Sequence, residues 1–197
     1  QSITASGDGS LIGAIYGLFN QQGDKIAEIT INEDSKGTLK NIPFGNYYLQ
    51  EIKAPVGYQL DTKKYEITIN EQNANHQLIL ENEIIKKKVV IYKTYDETNK
   101  IPEKNINFLV FDKNNNLIAT MTTDEFGKAE IILPYGEYTI VQENTTEGYQ
   151  KVDDIILKVS NTEEEIITLT DYKIKVPNTS TNFITYLIML IINIFTL

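Results

Sequence analysis

The segment Pro43-Phe44-Gly45-Asn46-Tyr47-Tyr48-Leu49-Gln50-Glu51 returns as Pro134-Tyr135-Gly136-Glu137-Tyr138-Thr139-Ile140-Val141-Gln142. Each copy is followed at the same distance by a Gly-Tyr pair, Gly57-Tyr58 and Gly148-Tyr149. A repeat that long with matched punctuation means two tandem copies of one domain, not a single larger fold. Each copy is long enough to bury its own core, yet small enough to be only modestly stable. The chain has no cysteine, so no disulfide reinforces either copy, which leaves room for another kind of staple.

Charge narrows the partners. The net charge is −9, and all 18 basic residues are lysine. An acidic exterior without arginine is the wrong surface for nucleic acid. The chain starts at Gln1, so a signal peptide is neither read nor excluded. Residues 183–197 carry no charge. As a helix they reach about 22 Å, short of the roughly 30 Å hydrocarbon core, and read as the first part of a membrane segment.

Alternating runs predict strands at 25–31, 46–51, 65–69 and 77–81 in the first copy. The second copy has them at 88–92, 107–112, 117–122, 137–142, 155–160 and 166–170. Turn-rich stretches separate them, among them Gln21-Gln22-Gly23-Asp24 and Asp124-Glu125-Phe126-Gly127. The expected fold is all-β: two tandem β-sandwiches over residues 1–84 and 85–175, followed by a tail over 176–197. The few residues between the copies predict an end-to-end arrangement with a stiff junction.

Catalytic arrangements are mostly excluded. His76 is the only histidine and sits in a polar run, so it reads as a solvated loop residue without a second member for a metal site or a triad. Asp112-Lys113-Asn114-Asn115-Asn116 has calcium-loop composition but lacks the downstream glutamate, and reads as a hairpin turn. No cofactor and no metal are expected.

Strand parity gives a sharper result. Val89, Ile91 and Lys93 share one face; so do Tyr138, Ile140 and Gln142, and Ile167, Leu169 and Asp171. The first copy repeats this with Tyr47, Leu49 and Glu51, and with Leu78, Leu80 and Asn82. Five inward faces each run from apolar residues into a polar one. Either these residues reach solvent at strand ends, or they meet in a core where unpaired charge is costly.

The stretch Tyr48-Leu49-Gln50-Glu51-Ile52-Lys53-Ala54-Pro55-Val56-Gly57-Tyr58 resembles the E-box of Cna protein B-type, SpaA-like domains of Gram-positive pilins and surface adhesins. Gly13-Ala14-Ile15-Tyr16-Gly17-Leu18-Phe19 resembles the family's second strand, and Val89-Val90-Ile91-Tyr92-Lys93 its first. The resemblance implies a prealbumin-like, Ig-like Greek-key sandwich over about residues 8–175. It also implies an internal isopeptide bond, in which a first-strand lysine attacks a last-strand Asn or Asp while a nearby Glu moves protons. A low-dielectric core favours the neutral amine and the protonated acid that such a step needs.

Carried over to these residues, the scheme has two gaps. The first copy holds the proton shuttle Glu51 and the acceptor Asn82, but no lysine precedes Lys25; its lysine is expected on a strand upstream of Gln1. The second holds Lys93 and Asp171, but Gln142 occupies the glutamate position. A glutamine cannot shuttle protons, so the sequence predicts a slow or absent bond there, with Lys93 and Asp171 held as an ion pair. At most, this is single-turnover chemistry and not an enzyme.

The tail Val176-Pro177-Asn178-Thr179-Ser180, ahead of the apolar run, resembles a sortase signal of the Leu-Pro-x-Thr-Gly kind, with Val for Leu and Ser for Gly. The implied partners are a sortase and the peptidoglycan cross-bridge, with the membrane holding 183–197 before sorting and a host extracellular ligand for the longer protein. The reading is a wall-anchored, extracellular adhesin stalk that holds an N-terminal binding region away from the cell. A pilin subunit, or a sandwich that itself contacts host protein or carbohydrate, is the alternative.

Overall fold

A computed structural model describes residues 8–175. The sorting-like motif at 176–180 and the apolar run at 183–197 lie outside the described residues. Among the described residues there are thirteen strands: β1 (Ile15–Asn20), β2 (Lys25–Thr30), β3 (Gly45–Lys53), β4 (Tyr65–Ile69), β5 (Lys86–Tyr95), β6 (Ile101–Pro102), β7 (Asn107–Asp112), β8 (Leu117–Thr122), β9 (Lys128–Pro134), β10 (Gly136–Gln142), β11 (Tyr149–Gln150), β12 (Ile155–Val159) and β13 (Glu165–Lys173).

The second unit is a closed two-sheet sandwich. One sheet runs β12-β10-β7-β8; the other runs β11-β13-β5-β6, with β9 along the same edge of β5 as β6. Strand β5 is the centre of its sheet, pairing antiparallel with β9 and parallel with β13. Between the sheets lie Val89, Ile91, Phe108, Val110, Ile131, Leu133, Ile140 and Val159, each 1% exposed or less. Burying apolar side chains this completely contributes roughly 1.5–3 kcal/mol each before chain entropy is set against it.

The first unit has one sheet of the same order, β2-β1-β3-β4. Its inner face carries Ala14, Tyr16, Leu18, Tyr47 and Leu49. Opposite it, residues 36–44 and 74–83 run alongside without forming strands. The strand expected at 77–81 is therefore absent, and Leu78, expected inward, is 42% exposed. The physical reason lies in the second unit: β13 is a strand because β5 lies beside it, whereas 77–81 has no such neighbour among the described residues. A strand without a ladder leaves its N–H and C=O groups to water.

The hairpin turns are closed by their own side chains. Asp112 Oδ1 accepts hydrogen bonds from the backbone N–H of Asn114 and Asn116, so the loop of calcium-like composition is an Asx-type turn. Asn20 and Asp124 do the same for their turns. The two units touch where Asp8 N donates to Tyr135 O at 2.9 Å and Lys113 Nζ reaches Asp8 Oδ1 at 3.0 Å.

Candidate functional site

In the second unit the three polar residues singled out by strand parity converge. Lys93 ends the inward face of β5, Gln142 that of β10 and Asp171 that of β13; all are buried, at 0%, 2% and 0% exposure. They sit together because β5 and β13 run parallel in register, with Leu169 opposite Lys93 and Asp171 two residues further along. Lys93 Nζ lies 2.7 Å from Asp171 Oδ1. That contact is close but poorly aligned for a hydrogen bond, and Oδ1 accepts none from any group.

The sequence reading missed the fourth member. Glu103, 2% exposed, places Oε2 2.6 Å from Lys93 Nζ. It lies not on a strand but in the β6–β7 connection. Its position is fixed through the backbone: Glu103 N donates to Lys93 O at 3.0 Å, so acid and amine hang from adjoining backbone groups. Thr123, also buried, clamps the other side, with Oγ1 donating to Glu103 O at 2.6 Å and accepting from Ile106 N at 2.9 Å. The carboxylate's second oxygen, Oε1, accepts from Thr146 N at 2.8 Å. Gly127 makes this close approach possible: its φ is +72°, and a Cβ there would stand 2.2 Å from Lys93 O.

Every polar atom around the lysine thus has a defined place. Nζ faces Glu103 Oε2, Asp171 Oδ1 and Thr94 O, the last at 2.9 Å. Asp171 Oδ2 accepts from Gln142 Nε2 at 2.7 Å and from the Thr145 hydroxyl. Gln142 is itself held, donating to Asn144 O at 2.9 Å and accepting from Val152 N at 3.2 Å. The premise that the second unit lacks an acid at its centre therefore fails. One lysine and two acidic side chains share a buried core, an arrangement that is costly as an ionic cluster.

The first unit keeps the mirror-image remainder. Glu51, 2% exposed on β3, accepts from Asn82 Nδ2 at 2.8 Å through Oε1 and from Asp61 N at 2.7 Å through Oε2. Tyr16 Oη approaches Asn82 Oδ1 at 3.5 Å. Burial, with the nearby Glu51 charge adding to it, pushes the Tyr16 phenol up to about 12. Glu51 and Asn82 meet as the sequence predicts, but among the described residues no amine joins them. Beside them lies an open cavity of about 840 Å³, walled by Ala14, Tyr16, Leu18, Ile67, Leu80 and Asn82. His76 stays on the surface, its Nε2 2.6 Å from Thr68 O. Among the described residues no group of three or more His, Cys, Asp or Glu side chains is placed to hold a metal ion.

Comparison with known proteins decides the family. The SpaA prealbumin-like fold domain matches twice, over residues 3–84 and 87–173. The chain belongs to this family. A 60-residue stretch is 40% identical to the trypsin-resistant surface T6 protein of Streptococcus pyogenes, covering 30% of this chain and 11% of that protein. The solved TIE protein of Bacillus anthracis superposes with a TM-score of 0.70 at 23% identity, over 87% of this chain and 33% of that one. The minor pilin GBS52 of Streptococcus agalactiae aligns over 86% of this chain and 87% of its own, at 18% identity and a TM-score of 0.43. The chain spans a third or less of the length of the first two relatives.

Proposed function

We propose that these SpaA-type units are rigid spacer modules of an extracellular Gram-positive surface protein, and that the second is closed by an amide between Lys93 and Asp171. The observation that supports this best is a fully buried lysine amine 2.7 Å from a fully buried aspartate, on two parallel-paired strands. An amide at that point joins the first strand of the sandwich to its last, so a pull along the chain meets a covalent bond before it can peel the sheet apart. Resistance to trypsin, which the name of the T6 protein records, is a property such a closure confers.

In this reading the first unit obtains its lysine from a strand outside residues 8–175. That strand seats between 36–44 and 74–83 and brings its amine to Glu51 and Asn82. Attachment to the wall follows from Val176-Pro177-Asn178-Thr179-Ser180, read by a sortase that leaves Thr179 joined to the peptidoglycan cross-bridge. Ligand contact belongs to other parts of the longer protein.

The test is to release the wall of expressing cells with a muralytic enzyme and follow the protein by size. A stalk gives a single species, and Thr179→Ala sheds it from the wall fraction. A ladder of covalent multimers makes the protein a polymerising pilin instead, and wall attachment unaffected by Thr179→Ala removes the sorting assignment.

A further inference from the structure

Taking the Lys93–Asp171 amide of the proposed function as its basis, we infer that the second unit divides the glutamate's work between two places: Glu103 carries the proton, while Gln142 and Thr145 hold the oxygen that becomes the carbonyl.

The two oxygens of Asp171 are not equivalent. Oδ2 accepts from the Gln142 amide and the Thr145 hydroxyl, both fixed donors. Oδ1 accepts no hydrogen bond and faces only the lysine amine. When Nζ adds to the Asp171 carboxyl carbon, negative charge develops on an oxygen; the pre-placed donors make Oδ2 that oxygen. Oδ1 is then the one that leaves.

Glu103 is placed for the proton transfers. Its Oε2 touches Nζ, and its Oε1 is tied to Thr146 N, so the carboxylate cannot swing away. The lysine ammonium gives a proton to Glu103, and the freed lone pair forms the N–C bond. Glu103 returns that proton to Oδ1, and a second proton from the same nitrogen follows by the same relay. The Cγ–Oδ1 bond breaks, Oδ1 departs as water, and the carbonyl re-forms at Oδ2. One ammonium and one carboxylate become an amide and a water, and Glu103 ends as it began.

Position 142 is therefore not a damaged glutamate. A carboxylate there would set a second negative charge against Oδ2, whereas an amide donates to it. Counting back four residues from the first strand of the β12-β10-β7-β8 sheet and from its counterpart sets Glu103 against Leu11 in the first unit. The copies have exchanged places for acid and neutral residue: Glu51 with Leu11, and Gln142 with Glu103.

The experiment follows closure by intact mass in the full chain during timed expression, for the wild type, E103Q, E103D, Q142L and T145V. The wild type loses one water. Closure in E103Q slows by about 10²–10⁴-fold, the usual worth of a positioned acid–base group. E103D keeps a carboxyl but withdraws it from Nζ, and closes at an intermediate rate. Q142L and T145V, each lacking a donor to Oδ2, close more slowly by up to about 10²-fold. Should E103Q not fold, E103D decides: closure at the wild-type rate overturns the relay. Closure at the wild-type rate in both Q142L and T145V overturns the assignment of Oδ2. A wild type that never loses water overturns the amide itself, which is a different failure from either.

Discussion

The two units have the same four-stranded sheet, and they differ in what lies across from it. In the second, β5 fills the centre of the opposite sheet, turns residues 165–173 into a strand and delivers an amine to the core. In the first, the equivalent position is a cavity, residues 74–83 lie without a ladder, and the buried Glu51 and half-buried Asn82 face one another with no amine beside them among the described residues. One strand thus accounts for sheet, core and chemistry together. The polar centre is not an addition to a finished sandwich but the end of the strand that completes it.

That contrast yields graded expectations. Asp171→Ala removes the acceptor, so the amide that closes the second unit cannot form and Lys93 keeps only Glu103 as a partner; losing a native crosslink costs about 2–5 kcal/mol, and the second unit's melting temperature falls by roughly 10 °C or more in calorimetry. Asn82→Ala, at the matching place in the first unit, deletes one hydrogen bond to Glu51 and costs about 1 kcal/mol. Equal effects at the two sites would contradict the view that only the second centre is complete.

Packing separates the units next. Ile140→Ala, in the closed core, destabilises by about 2–5 kcal/mol by denaturant titration, whereas Leu78→Ala, beside the open cavity, stays within about 0.5 kcal/mol. A peptide of the β5 sequence, residues 86–94, added to the full chain is expected to raise the first unit's melting temperature in a concentration-dependent way. No shift at saturating peptide would mean that the cavity does not accept a strand of this pattern.

The smallest effect is alkaline. Tyr16 is held at about 12 by burial, above its ordinary value of 10.0. A raised acid binds its proton longer in the folded state, so its contribution is full below pH 10 and is lost as the pH climbs toward 12. Alkaline unfolding of the first unit in that window, followed by phenolate absorbance, is the expected sign. Tyr16→Phe should blunt it.

Much of this was legible from strand parity. The period of two correctly joined Lys93, Gln142 and Asp171, and Glu51 with Asn82, because each lies on or beside an alternating run whose inward side is fixed by its apolar neighbours. Glu103 was not legible in that way. It stands in Pro102-Glu103-Lys104-Asn105, a stretch with the composition of a solvated turn, and its burial comes from tertiary hydrogen bonds to Lys93 and Thr123. The signal that could have found it was the exchange between copies, an acid at 103 where the first unit has Leu11. Strand β9 was also missed, since Ile131-Ile132-Leu133-Pro134 blurs the alternation. The strand at 77–81 failed for the opposite reason: its pattern is right, but a strand needs a partner.

The account turns on whether the buried lysine and aspartate are joined. Intact-mass measurement of the full chain, followed by fragmentation of the peptides that carry Lys93 and Asp171, answers this directly. The account predicts a mass one water below that of the sequence and a branched peptide linking the two residues. A mass equal to the sequence, with the two peptides released separately, would contradict it.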